Sequence, residues 1–144
     1  MEERFKTFTT LITDISRKIR KIKSEEIEIF NLKAPHVSCV YYLYINGGMT
    51  SKELSDIADE DKANISRSIE YLEKNGFISC GSDSHKRYRA PLILTEKGKE
   101  VGEYIVKKID SYLEKAGKGI SDEMRKNMYE SLILINKNLD SISN

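Results

Sequence analysis

Near both ends of the chain, apolar residues recur by threes and fours, the period of an amphipathic helix. The first such stripe is Phe5, Phe8, Ile12, Ile15, Ile19 and Ile22. The last is Met124, Met128, Leu132, Ile135, Leu139 and Ile142, after Ser121 as an N-cap and Asp122 and Glu123 in the first turn. Before it, Val101, Tyr104, Ile105, Ile109, Tyr112 and Leu113 mark a helix that starts at Thr95 and gives way to a turn across Lys115 to Gly119. These long stripes have no role inside a small domain and need a partner. Residues 1–30 and 100–144 are therefore expected to be dimerisation helices, with Phe5, Phe8, Ile12, Met128, Leu132, Ile135 and Leu139 facing a second copy.

Between them, residues 34–95 carry a tighter pattern. A short helix begins near Pro35, a good first-turn residue, and runs through HVSCVYYLYI to a stop at Asn46-Gly47-Gly48. Thr50-Ser51-Lys52-Glu53 is a capping box, so a second helix starts at Ser51 and buries Leu54, Ile57 and Ala58. Asp59-Glu60-Asp61 breaks it, and Asp61 caps the next helix. There Ile65, Ile69 and Leu72 fall within about 60° of one another at the helical step and face the core. Asn75-Gly76 closes that helix. Phe77 to Cys80 then reads as a strand and Tyr88 to Leu94 as its partner, with Pro91 confining the second strand to an edge or an irregular segment. The fold class that follows is mainly α with a small β-ribbon: a winged helix-turn-helix flanked by N- and C-terminal dimerisation helices.

Composition narrows the functional classes. With 39% hydrophobic and 33% charged residues, the 144-residue chain suits one soluble globular domain. No stretch reaches the roughly 18 apolar residues of a membrane span, and MEERFKTF lacks a signal-peptide core, so a cytoplasmic protein without membrane contact is expected. A net charge of +1 means that any nucleic-acid contact must come from local clustering. Cys39 and Cys80 are too few and too far apart for a zinc site or a disulfide framework and are expected to be reduced. No carboxylate pair, Ser/His/Asp set or metal-ligand spacing is present, so no catalytic residue, metal or cofactor is expected.

The helix after Asp61 has the composition of a DNA reader. Opposite its core side lie Ala63 and Arg67, with Lys62, Asn64 and Ser66 flanking the first turns, and small Ala63 permits close approach to a groove floor. Asn64 and Arg67 are the best base readers, since an amide pairs with adenine and a guanidinium with guanine. Lys52, Ser66, Lys74 and the wing set grip and register on phosphates. The loop from Gly81 to Arg87, together with Arg89, adds His85, Lys86, Arg87 and Arg89 at the ribbon tip. That loop reads as a wing on phosphate or minor groove, or by itself as a solvated hairpin. Arg17, Lys18, Arg20, Lys21 and Lys23 end the first helix, as a solvated end complementing the macrodipole or as phosphate contacts. Tyr41 and Tyr44 share one face of the second helix while Tyr42 points elsewhere. With His36 they either line a ligand pocket or form core with satisfied hydroxyls. A winged helix that contacts only proteins, without specific DNA binding, is the alternative function.

Nearly the whole chain resembles the MarR family of bacterial regulators, on TSKELSDIA, DKANISRSIEYLEKNGFI, the wing, and LTEKGKE leading into the last helices. The resemblance implies a sequence-specific regulator that binds double-stranded DNA as a homodimer, a ligand-responsive repressor on a palindromic operator. It also implies a site for a small aromatic effector between the dimerisation helices and the reader, where His36, Tyr41 and Tyr44 would meet residues of the first helix. One departure stands out: the family's wing Asp and Arg would fall at Lys86 and Tyr88, so that brace is missing, and Arg87 or Arg89 is left for the minor groove. The N-terminal helix also lacks the cysteine of peroxide-sensing members.

Overall fold

A computed structural model describes residues 2–25, 30–58, 60–80 and 90–143, with the side chains of the first stretch described from 6 to 23. Glu2–Glu25 forms α1, Ala34–Asn46 α2, Ser51–Ile57 α3 and Lys62–Lys74 α4. The strands β1 (Ile78–Cys80) and β2 (Leu92–Leu94) follow, then α5 (Glu96–Ala116) and α6 (Asp122–Ser143). Met1–Ile109 packs as one compact unit and Asp110–Asn144 as another.

Local chemistry sets these boundaries. Pro35 stands in the first turn of α2, and Gly47 ends that helix with φ 76°. At α3 the Thr50 Oγ1 accepts from the Glu53 backbone N–H (3.1 Å), and Glu53 Oε2 accepts from the Thr50 N–H (2.9 Å), the reciprocal pair of a capping box. Asp61 Oδ1 accepts from the Asn64 N–H at 2.7 Å and starts α4. Gly76, at φ 77°, turns the chain out of α4.

The core of the first unit lies among α2, α3, α4, the ribbon and the beginning of α5. Leu43, Leu54, Ile65, Leu72 and Ile105 are fully buried there, each contributing about 1.5–3 kcal/mol relative to an exposed position. Val101 and Ile105 of α5 belong to this core, so α5 gives its first half to the winged helix. Ile57 departs from expectation. It is 44% exposed, because α3 stops there and Ala58 turns extended, carrying Ala58 rather than Ile57 inward.

The ribbon is antiparallel, pairing Ile78 with Leu94, Ser79 with Ile93 and Cys80 with Leu92. Its second strand is shorter than the expected Tyr88 to Leu94, and residues 81–89 lie outside the described part. Nor is β2 an edge at Leu92. Met49, between α2 and α3, bridges it on the other side, its N–H donating to Leu92 O at 3.1 Å and its carbonyl accepting from the Leu92 N–H at 2.7 Å. Pro91 is tolerated because it stands just ahead of the paired residues.

The segment from Thr95 to Gly98 fastens α5 to the end of α4. Thr95 Oγ1 accepts from the Gly98 N–H at 3.1 Å, capping α5, and donates to Gly76 O at 2.5 Å. Lys97 Nζ donates to Asn75 O at 2.9 Å and lies 4.2 Å from the centre of the Phe77 ring. Gly98 has to be glycine, since a Cβ there would stand 2.0 Å from the Phe77 carbonyl oxygen. The LTEKGKE motif thus satisfies carbonyls that the end of α4 leaves open.

In the second unit the end of α5 turns through Gly117 and Gly119 into α6, where Ser121 Oγ accepts from the Met124 N–H at 3.2 Å. The whole outer surface of α6 is open, with Leu132 and Ile135 only half-buried.

Candidate nucleic-acid interface

The body of α4 is held by Ile65, Ser68 and Leu72, which point into the core. That leaves Lys62, Ala63, Ser66 and Arg67 exposed and Asn64 half-buried, so the five expected contact positions come together on the first two turns. Asn64 and Arg67 also touch each other: Arg67 Nη2 donates to Asn64 Oδ1 at 2.5 Å. Lys52 is exposed in the first turn of α3, and Lys74 is exposed at the far end of α4. The remaining expected contacts, His85, Lys86, Arg87 and Arg89, lie outside the described residues, as does Asp59.

Beside this face is a recess of about 400 Å³. Asn64, Arg67, Ser68 and Tyr71 line it from α4, and Asn31, Lys33, Pro35 and His36 line it from the approach to α2. His36 stacks flat on Tyr71 with ring centres 4.3 Å apart, and its Nδ1 accepts from the Lys33 N–H at 3.0 Å. The Tyr71 hydroxyl donates to Asn31 O at 3.0 Å, and Asn31 is held at φ 56°. Burial, and then the Lys33 charge, hold the imidazole below its ordinary pKa. Sequence reasoning missed Tyr71 although it stands four residues, one helical turn, beyond Arg67. Asn31 and Lys33 gave no periodic signal at all.

His36, Tyr41 and Tyr44 are not brought into one pocket. His36 faces Tyr71, the Tyr41 ring meets Tyr42 edge-on at 5.2 Å, and the Tyr44 ring covers Gly102 of α5, where a Cβ would come within 2.5 Å of it. Tyr41 and Tyr44 share a face of α2 and still meet different neighbours, Tyr42 and α5. Tyr42, set aside by the sequence reading, instead lines a recess of about 170 Å³ between α1 and α2, with Ser16, Ile19, Arg20, Lys23, Ser38 and Glu60. Of the basic end of α1, Arg17 and Lys18 pair with Asp14, the latter at 2.6 Å, and hydrogen bonds from Lys18 and Arg17 hold the Asp14 carboxyl below the usual carboxylate range. Lys23 Nζ lies 5.4 Å from the Tyr41 ring centre. Cys39 is buried, and burial, with Glu60 nearby, pushes its thiol up to about 12, which leaves it unreactive.

The expected dimer stripes are open in each unit. On α1, Ile12, Ile15 and Ile19 are exposed and Phe8 is half-buried, while the Phe5 side chain lies outside the described part. Leu11 joins them, unannounced by the stripe. On α6, Met128 and Leu139 are exposed, and so are Tyr129, Ile133 and Leu134, so the apolar surface is wider than one seam. Among the described residues no helix is long and apolar enough to cross a membrane, and no group of three or more His, Cys, Asp or Glu is placed to hold a metal.

No family model matches the chain. It is 30% identical over 96 residues to the HTH-type transcriptional regulator YwoH of Bacillus subtilis, covering 67% of this chain and 70% of that one. With YybA, another HTH-type transcriptional regulator of B. subtilis, it shares 25% identity over 126 residues, 88% of this chain and 84% of that one. Among solved structures, a Listeria monocytogenes protein described as a MarR-family transcriptional regulator and crystallised with a 26-mer DNA superposes with a TM-score of 0.82 at 25% identity. That likeness covers 91% of this chain and 87% of the Listeria chain.

Proposed function

This chain belongs to the MarR family of winged helix-turn-helix transcriptional regulators, and on that premise we propose that it is a ligand-responsive repressor that binds a palindromic operator as a homodimer. Regulators of this family are not enzymes. The observation that carries the reading is the face of α4, where Lys62, Ala63, Ser66 and Arg67 stand open on a helix whose start is fixed by Asp61 and whose end is fixed by Thr95 and Lys97.

A two-fold dimer places two copies of α4 in successive major grooves, about 34 Å apart. The apolar residues exposed on α1 and α6 support such a partner. Asn64 and Arg67 read bases, and Lys52, Lys62, Ser66 and Lys74 fix register on phosphates. His85, Lys86, Arg87 and Arg89 supply the wing contact, so Lys86→Ala combined with Arg87→Ala weakens all duplexes about equally.

For the effector, the recess between α1 and α2 is a second candidate beside the site of His36, Tyr41 and Tyr44. Arg20 and Lys23 outnumber Glu60 in its lining and Tyr42 adds an aromatic ring, which supports a small aromatic carboxylate as the occupant. Such a molecule releases DNA only by favouring a spacing of the two readers that the operator does not accept. Capture of genomic fragments by the purified dimer tests the function. Recovery of a shared palindrome, lost on adding an aromatic carboxylate, is expected. Recovery of fragments with no common sequence would instead favour a winged helix that contacts only proteins.

A further inference from the structure

The recess at the approach to α2 has a charge character unlike the chain as a whole. The protein holds 23 acidic residues against 24 Lys and Arg. Yet Lys33 and Arg67 line this recess together with the amides of Asn31 and Asn64, and among the described residues that line it there is no carboxylate. An anion entering it meets two fixed positive charges.

His36 gives the recess a built donor. The residue is 9% exposed, and its Nδ1 is committed as acceptor of the Lys33 N–H, so the neutral ring carries its proton on Nε2. Its plane is set by the stack on Tyr71, and Tyr71 is set in turn by its hydroxyl on Asn31 O. A donor fixed in this way costs little further ordering when it meets an acceptor. The two rings cover each other's faces, which leaves less aromatic surface for an apolar ligand. The volume, about 400 Å³, exceeds that of a single phosphate and leaves room for the sugar to which one is attached.

We propose that this recess binds a phosphate group between Lys33 and Arg67, with the His36 Nε2 proton as a neutral third donor. The inference rests on α4 being the DNA reader. A duplex backbone and free phosphate offer the same chemistry. In the first case Lys33 and His36 hold a backbone phosphate beside Arg67, which also keeps its base, and in the second the occupant draws Arg67 away from the bases.

Two arms separate the sources. In the first, wild type and Lys33→Gln are titrated with operator and scrambled duplex over a salt series. A backbone phosphate predicts that Lys33→Gln weakens both duplexes alike and flattens the log–log salt slope by about two, roughly one for each half of the dimer. In the second, inorganic phosphate is added without DNA at constant ionic strength while the His36 ring signals are followed by NMR. A free phosphate predicts a saturable shift in wild type that Lys33→Gln abolishes. If Lys33→Gln matches wild type in both arms, the proposal is overturned. Arg67→Ala on the same duplexes keeps the two readings apart. Lost discrimination there alongside a silent Lys33→Gln sinks the recess alone, whereas unchanged discrimination counts against the base reader.

Discussion

Arg67 reaches back one turn of α4 and donates its Nη2 proton to the side-chain oxygen of Asn64 at 2.5 Å, so the two residues proposed to read bases form one hydrogen-bonded unit. A carboxamide that steadies a guanidinium lowers the entropy that the arginine loses on meeting a guanine. Asn64 in turn sits on Asp61, which accepts its backbone N–H.

Arg67→Ala is expected to cost roughly 1–3 kcal/mol at operator DNA and to relax preference at its base position. Asn64→Ala should do part of the same damage through Arg67, so the double variant loses less than the sum of the two singles. Binding titrations of the four proteins against operator and scrambled duplex read this directly. Strict additivity would show that the two side chains act separately.

Gly98→Ala should destabilise the first unit by about 1–3 kcal/mol or more, because the new methyl meets a backbone carbonyl that cannot turn aside. Gly102→Ala meets the Tyr44 side chain at 2.5 Å, a less severe approach than the 2.0 Å at Gly98 and against a side chain rather than backbone, so its cost should be smaller. Urea denaturation of the two variants checks the order. A Gly98→Ala protein as stable as wild type would contradict the close approach.

Placing a carboxylate in either open apolar stripe should break the proposed dimer. Ile12→Asp and Leu139→Asp each put an unpaired charge where a second copy is expected. Each should sediment as a monomer and lose operator affinity by about 100-fold or more, as two linked half-site contacts become one. Retained dimers in both variants would place the interface elsewhere.

Stability should fall on acidification through His36. Its pKa is lowered in the folded chain, mainly by burial and then by Lys33, so the unfolded chain takes up the proton first as pH falls. The contribution is complete above the ordinary value of 6.5, shrinks as pH drops below it, and stops changing below the folded value. His36→Phe keeps a ring against Tyr71 without a titrating group. Between about pH 8 and pH 5.5 the wild-type melting temperature should therefore fall further than that of His36→Phe, and parallel curves would exclude His36 as the source.

Much of this molecule was legible in order along the chain. The Thr50 capping box, the Asp61 cap, the Asn75-Gly76 stop and the periodic stripes are local: each depends on residues within a turn or two of one another, and each formed as the spacing predicted. The reader face was legible for the same reason, since Ile65 and Leu72 define the buried side of α4 and leave Lys62, Ala63, Ser66 and Arg67 outward. What the tertiary structure decided are relationships between residues far apart in sequence. The Met49 bridge beside β2, the Gly98 backbone against Phe77, the Tyr44 ring over Gly102 and the Tyr71 hydroxyl on Asn31 join elements whose spacing no periodicity encodes. Likewise the neighbours of the α2 tyrosines could not be chosen by residue type alone. Whether a tyrosine of α2 faces α1, α5 or the core depends on which helix packs against that side, and that is settled by the shape complementarity of whole elements rather than by any one residue.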